Sequence, residues 1–279
     1  MQPTGASLMP ELPEVETIRR ALAPRVEAQT ILALDVFEPR LRLPIPRTLD
    51  RDLPGRKIQS LERRGKYLIF VLDQGHYLLV HFGMSGRFVI VSPETARLPH
   101  EHWQLKLPEL TIRLRDPRRF SLLLSGSGSP ATHPLLRMLG PEPLEDAFTQ
   151  TYWIQVIRRR KASIKTLLMD SRIVAGVGNI YANEALHRSG IHPHRPGGRL
   201  SAARLIRLHA MIRKVLIEAL ASGGSTLRDY RGIDGDPGYF STAFYVYGRE
   251  GLPCFGCRNV IRRIRTGQRA TFYCPSCQK

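Results

Sequence analysis

The sequence predicts an α+β chain of several domains: an antiparallel β half, a helical middle and a small metal-pinned hairpin at the end. Three observations lead there. Between about Lys57 and Leu124 apolar residues gather in short runs separated by tight-turn residues. From about 148 to 222 they recur at helical spacing, and all four cysteines crowd into the last 26 residues.

Along the chain, Met1 to Leu8 carry no periodicity and are expected to form a disordered leader. A short helix follows. Pro13 lies in its first turn, Glu14 and Glu16 near its start and Arg19 and Arg20 near its end, a polarity that suits the helix dipole. Val15, Ile18 and Leu22 fall on one face, and Pro24 is expected to end the helix. The strands come next. Tyr67–Leu72 and Tyr77–His81 flank Asp73-Gln74-Gly75, Arg87–Val91 follows Gly83-Met84-Ser85-Gly86, and Trp103–Leu107 and Leu110–Arg115 flank Pro108-Glu109. Short strands joined by tight turns point to an antiparallel sandwich or barrel. Ser125 to Pro130 reads as a loop, and Gly140-Pro141-Glu142-Pro143 as the start of an interdomain segment. In the helical part the clearest helix begins after Ser201, an N-cap, and lines up Leu205, Leu208, Ile212, Val215 and Ala219 before Gly223-Gly224 stops it. Ala175 to Tyr181 is too glycine-rich for a helix interior.

The cysteines are spaced Cys254-x2-Cys257, sixteen residues, Cys274-x2-Cys277. Two such knuckles can set four thiolates around one tetrahedral Zn²⁺, and Pro253, Gly256 and Pro275 supply their turns. Two disulfides are the alternative, disfavoured because nothing in the chain points to an oxidising compartment. Between the knuckles, Arg258 to Arg269 interleaves basic residues with β-formers, as a hairpin reaching for nucleic acid would.

Charge agrees. Lys and Arg total 42 against 24 Asp and Glu, a net +18 spread over the whole chain. Such an excess serves a polyanion through counterion release. A membrane role is disfavoured, since no apolar run approaches the ~20 residues that a spanning helix needs.

Five motifs carry a resemblance. Pro10-Glu11-Leu12-Pro13-Glu14-Val15-Glu16-Thr17, Gly83-Met84-Ser85-Gly86, Asp116-Pro117-Arg118-Arg119-Phe120, Gly176-Val177-Gly178-Asn179-Ile180-Tyr181 and Gln268-Arg269-Ala270-Thr271-Phe272-Tyr273-Cys274 resemble, in order, those of bacterial formamidopyrimidine-DNA glycosylases. The resemblance runs from Met9 to Lys279. It implies a β-sandwich with a short N-terminal helix, a helix-two-turn-helix domain and a C-terminal β-hairpin zinc finger. The domains expected are a leader at 1–9, a catalytic sandwich at 10–141, a helical DNA-binding domain with a lesion-capping loop at 148–240, and a zinc hairpin at 245–279.

The implied activity is excision of 8-oxoguanine and formamidopyrimidines from double-stranded DNA by a monomeric, cytoplasmic, nucleoid-associated enzyme. Pro10 matches the family's nucleophile, a free N-terminal secondary amine. A free α-amino group has a pKa near ~8, so part of it is neutral at neutral pH. Its attack on C1′ expels the base and leaves an imine-type intermediate open to β- and δ-elimination. Glu11 matches the general acid toward the sugar ring oxygen, Lys66 the lysine of β-elimination and Arg269 the arginine of phosphate contact and δ-elimination. Met84, Arg118 and Phe120 match the trio that fills the hole left by the extruded base. His100, Lys161, Lys165 and Asn179 match DNA contacts, and Gly223 to Tyr239 resembles the loop closing over the everted base. Cys254, Cys257, Cys274 and Cys277 match the ligands of one structural zinc.

The eight residues before Met9-Pro10 depart from the family pattern, because an acylated Pro10 nitrogen is no nucleophile. Translation is expected to start at Met9. Two other readings compete. An endonuclease VIII-like glycosylase follows Pro-Glu with Gly-Pro-Glu and lacks the Met84/Arg118/Phe120 set, and a non-enzymatic zinc DNA-binding protein would need no free proline.

Overall fold

The computed structural model describes residues 10–92, 94–223 and 244–279. The expected leader and most of the expected lesion-capping loop lie outside them. The described residues divide into two compact units at Arg137/Met138, the second holding 138–223 and 244–279.

The first unit begins with helix α1 (Leu12–Val26) and holds eight strands: β1 (Ala33–Val36), β2 (Ile58–Arg64), β3 (Tyr67–Leu72), β4 (His76–His81), β5 (Arg87–Val91), β6 (Glu101–Lys106), β7 (Thr111–Arg115) and β8 (Leu122–Ser127). It also contains the one-turn helices α2 (Leu49–Asp52) and α3 (Pro134–Arg137). The strands form two antiparallel four-stranded sheets, ordered β2-β3-β4-β8 and β1-β6-β7-β5. That decides sandwich over barrel. Phe70 of the first sheet meets Phe88 of the second at 6.4 Å between ring centroids, and Phe88 meets Trp103 edge-on at 5.6 Å. These rings join one core with Val15, Ile18 and Leu22, the apolar face of α1. Edge-to-face pairs of this kind add about 1 kcal/mol each beyond the area they bury.

Three expectations needed correction. Pro24 does not end α1, which runs two residues further to Val26. Proline's missing N–H costs one ladder bond, and Glu27 N–H still closes the end on Ala23 O at 3.0 Å. Strands β1 and β2 went unread because they lack a clear alternation. Residues 125–127, read as loop, belong to β8: Gly126 pairs with Tyr77, and a Cβ on Gly126 would lie 2.2 Å from the Tyr77 hydroxyl. The strand accepts glycine because that ring occupies the side-chain position.

The second unit holds α4 (Gln150–Ile157), α5 (Ile164–Leu168), α6 (Asn179–Arg188), α7 (Ala202–Ala221) and the hairpin β9 (Arg262–Thr266) and β10 (Arg269–Tyr273). Ser201 caps α7 by accepting from Arg204 N–H, and all five residues of its predicted stripe are buried. Helices and zinc hairpin share one compact unit. Asn183 of α6 accepts the Phe272 N–H of β10 at 3.1 Å. Among the described residues, no helix is long and apolar enough to cross a membrane.

Candidate functional site

In the first unit, Pro10 precedes a helix start built from two carboxylates. Glu11 is the N-cap of α1. Its side chain accepts from the Glu14 N–H, while the Glu14 side chain accepts from the Glu11 N–H at 2.9 Å, a reciprocal capping box. Glu11 is only 2% exposed, so it is not a solvated partner of the helix dipole. Glu16, one turn on, accepts from Arg19 and Arg20 of its own helix and from Arg63 of β2 at 3.1 Å. Burial alone would raise the Glu16 pKa, but the hydrogen bonds from Arg19 and Arg20 and the charges of Arg19 and Arg63 outweigh it and hold it at about 2. This cluster clasps the helix carrying Pro10 and Glu11 to the strand leading to Lys66.

Lys66 does not start a strand. It sits with Gly65 in the two-residue turn between β2 and β3, where Arg64 pairs with Tyr67. Gly65 has φ 58°, the left-handed value that a II′ hairpin requires at its first turn residue. Opposite lies His81, paired with Tyr67 across the strands, its ring tilted 56° to the Tyr67 ring at 4.8 Å between centroids. His81 Nδ1 accepts the Gly83 N–H at 3.0 Å, so that nitrogen carries no proton. Burial, then the charges of Lys66 and Arg42, lowers the His81 pKa to about 3. Sequence reasoning missed this neutral imidazole beside Lys66. The histidine opening His81-Phe82-Gly83-Met84 was the available signal.

Met84, Arg118 and Phe120 are brought together. Gly83 (φ 63°) lies so close to the second loop that a Cβ there would stand 2.3 Å from the Phe120 carbonyl oxygen. The Arg118 guanidinium lies 5.0 Å over the Phe120 ring, and Phe120 is 40% exposed. A phenylalanine left out of the core beside an arginine is available to a partner. His100 is exposed just before β6, with a positive φ of 70°.

In the second unit, Lys161 is exposed at the end of the Arg158-Arg159-Arg160 run. Lys165 does not fit its expected part. It is 1% exposed, and its Nζ donates to Ala270 O at 3.0 Å and Thr271 Oγ1 at 2.7 Å on β10. A buried ammonium spent on the hairpin is a structural tie; helical phase turned this lysine inward, which charge counting could not reveal. Asn179 opens α6 behind the N-cap Gly178, at the positive end of that helix. Arg269 is exposed directly after the Gly267-Gln268 turn of the β9–β10 hairpin, another two-residue turn led by a glycine with φ 58°.

The four cysteine sulfurs lie within 4.8 Å of one another, with Cys254 to Cys277 at 3.9 Å and Cys257 to Cys274 at 3.3 Å. Zn–S bonds of about 2.3 Å set tetrahedral sulfurs roughly 3.8 Å apart, whereas a disulfide needs about 2.05 Å. The donor set fits one structural zinc, and the disulfide alternative falls. His187 Nε2 lies 3.6 Å from Cys254 Sγ. Burial, then the charges of Arg188 and Arg249, lowers the His187 pKa to about 4 and keeps the ring neutral.

Comparison with known proteins now bears on this arrangement. Residues 9–123 match the formamidopyrimidine-DNA glycosylase N-terminal domain, 139–231 the H2TH domain of the same glycosylase, and 251–279 the zinc finger found in FPG and IleRS. The chain is 48% identical over 272 residues to the formamidopyrimidine-DNA glycosylase of Hahella chejuensis, covering 97% of this chain and 100% of that one. The relative in Pseudomonas aeruginosa gives the same figures. Among solved structures, MutM (Fpg) from Thermus thermophilus shares 42% identity with a TM-score of 0.87, covering 96% of this chain and 98% of that one. Lactococcus lactis Fpg in complex with DNA containing an abasic site shares 32% with a TM-score of 0.90, covering 96% and 99%.

Proposed function

The chain belongs to the formamidopyrimidine-DNA glycosylase family, and from that premise we propose which of its residues excise oxidised purines and cut the resulting abasic strand. It is a bifunctional glycosylase and abasic-site lyase of base excision repair, its partner is damaged double-stranded DNA, and its four cysteines form one structural zinc site.

Pro10, once its nitrogen is a free secondary amine, attacks C1′ of the damaged nucleotide. The new N–C1′ bond replaces the glycosidic bond, and the base leaves with its electron pair and takes up a proton. Glu11 gives a proton to the sugar ring oxygen as the ring opens, producing the imine-type intermediate. That electron sink acidifies the 2′ hydrogen. Its removal expels the 3′ phosphate, with Lys66 at the reacting nucleotide, and δ-elimination then expels the 5′ phosphate, with Arg269 bound to it through its planar fork of donors. Met84 and Phe120 fill the emptied stack, Arg118 hydrogen-bonds the orphaned base, and His100, Lys161 and Asn179 hold phosphates. A zinc on the four cysteines would anchor the hairpin whose second strand opens with Arg269. We place the enzyme in the cytoplasm, on the nucleoid.

The observation that carries this reading is the buried capping box that fixes Glu11 directly after Pro10, on a helix clasped through Glu16 and Arg63 to the hairpin of Lys66. Borohydride trapping on an 8-oxoguanine duplex tests it. Protein starting at Pro10 should form a covalent adduct, and protein retaining Met1–Leu8, verified by mass, should form none. Glu11→Gln should largely lose base excision but keep cleavage of a preformed abasic site, whose sugar is already open. Vigorous trapping by the longer form would transfer the chemistry to another amine, with Lys66 the first suspect.

A further inference from the structure

We infer that Asp116 is a positioning residue that locks the lesion-reading loops of the first unit together through its buried carboxylate. Asp116 is 0% exposed. Its Oδ1 accepts from the Ser85 hydroxyl and from the Arg118 N–H at 3.2 Å, and its Oδ2 accepts from the Ser121 N–H at 2.8 Å. The Arg118 N–H also lies 3.2 Å from Ser85 Oγ. The backbone of Asp116 is equally engaged. Its N–H donates to His100 O at 2.9 Å, and its carbonyl accepts from Arg119 N–H at 3.2 Å and from His102 Nε2 at 2.6 Å.

The placement of these bonds follows a pattern. Ser85 adjoins Met84, Ser121 adjoins Phe120, Arg118 is held by its own amide, and His100 is held by its carbonyl. One carboxylate and its peptide groups therefore fix the backbone at or beside four residues expected to touch DNA. His100, Arg118 and Phe120 stay exposed while the carboxylate that constrains them is buried. Holding a functional tip rigid through an inner layer is what accurate recognition requires. The two oxygens matter, because two backbone N–H groups and a hydroxyl converge on them, and a carboxylate accepts at both. In Asp116→Asn the amide can keep one oxygen on the Ser121 N–H, and its NH₂ can be accepted by Ser85. It then faces the Arg118 N–H donor to donor.

This inference rests on the proposed role of Arg118 in reading the orphaned base, so the test uses one readout that depends on that role and one that does not. The independent readout is native-state trypsin cleavage after Arg118 and Arg119 in the free protein, mapped by mass. A hydrogen bond to a buried charge is worth enough that its loss should speed cleavage there by about tenfold or more, with cleavage at the exposed Arg158–Arg160 run unchanged. The dependent readout is the ratio of 8-oxoguanine excision opposite cytosine to that opposite adenine. Asp116→Asn should bring it to the value of Arg118→Ala, while cleavage of a preformed abasic site is largely retained. Ser85→Ala, which keeps the carboxylate, should raise loop cleavage by about threefold, and it carries the test if Asp116→Asn proves generally protease-sensitive. Unchanged loop cleavage in both variants would overturn the inference. If Arg118→Ala leaves the ratio unaltered, the reading of Arg118 fails, and cleavage still decides Asp116.

Discussion

Replacing Lys165 by methionine separates two explanations of a basic residue that the structure sets apart. A phosphate contact would be exposed, and its removal would lower the slope of log affinity against log salt by about one unit. Lys165 is 1% exposed, with Nζ on Ala270 O and Thr271 Oγ1 of β10. Each bond from a charged donor is worth about 1.5–3 kcal/mol, and deleting the ammonium also removes its burial cost. The Ala270 carbonyl loses this donor, whereas Thr271 Oγ1 retains Thr266 Oγ1 at 2.7 Å. A net loss of about 2 kcal/mol is expected, which for a chain of this size lowers the melting temperature by roughly 5 °C. Differential scanning calorimetry on the zinc-loaded protein measures the first quantity, and fluorescence anisotropy on an undamaged duplex across a salt series measures the second. Lys165→Met should melt early with the salt slope unchanged. A slope lowered by one unit at an unchanged melting temperature would refute the structural tie and restore the phosphate contact.

Three further outcomes are expected. Zinc removal by a chelator, or Cys257→Ala, should abolish tight DNA binding while near-ultraviolet circular dichroism of the Trp103–Phe88–Phe70 core persists, because metal binding supplies the folding energy of so small a module. Lys161→Ala should weaken binding equally to damaged and undamaged duplex and lower the salt slope by about one unit, whereas Arg118→Ala should weaken lesion binding preferentially; competition titrations distinguish the two. Glu16 carries a pKa depressed to about 2. Its contribution is therefore present above its unfolded value of about 4.5 and is lost as pH falls toward 2. Glu16→Gln should be less stable than the parent to urea at neutral pH by about 1–2 kcal/mol, after discounting for solvent screening, and the difference should shrink in acid.

How much of this was legible in the sequence follows from where each signal is stored. The strand Tyr67–Leu72 was readable to the residue, because it is an unbroken apolar run bounded by turn formers. Ser201 and the stripe of α7 were readable because capping and helical period are local. The zinc ligands were readable because the metal fixes their spacing. Strand β2, by contrast, is the polar-rich IleGlnSerLeuGluArgArg, and a register shift near Ile58 breaks its alternation. Gly126 reads as a loop residue until its partner Tyr77 is known. The same limit governs the site. The motifs of Pro10, Arg118 and Arg269 are local, but whether a lysine faces DNA or the interior depends on the partner strand. Lys165 lies 105 residues from its acceptor at Ala270.

The buried carboxylates show how so basic a chain makes its contacts accurate. At a net +18 the molecule attracts DNA without regard to sequence, and attraction alone leaves loops of like charge splayed apart. Acids lie beneath several of the loops that need a fixed shape. Glu16 gathers Arg19, Arg20 and Arg63 under the start of α1. Asp116 holds the loop of Arg118 and Phe120. Glu184, 2% exposed on α6, accepts the N–H groups of Tyr245, Val246 and Tyr247 at 2.9–3.0 Å, where the chain enters the zinc module. Burial pushes the Glu184 pKa up while those three amides pull against it. Each acid meets several donors, as a carboxylate must when it leaves water. All three are buried. Arginine and lysine at the surface carry the positive charge, and the inner carboxylates hold the start of α1, the loop of Arg118 and Phe120 and the segment entering the zinc module. Swapping an inner acid for its amide should therefore cost accuracy more than affinity, the reverse of removing a surface cation.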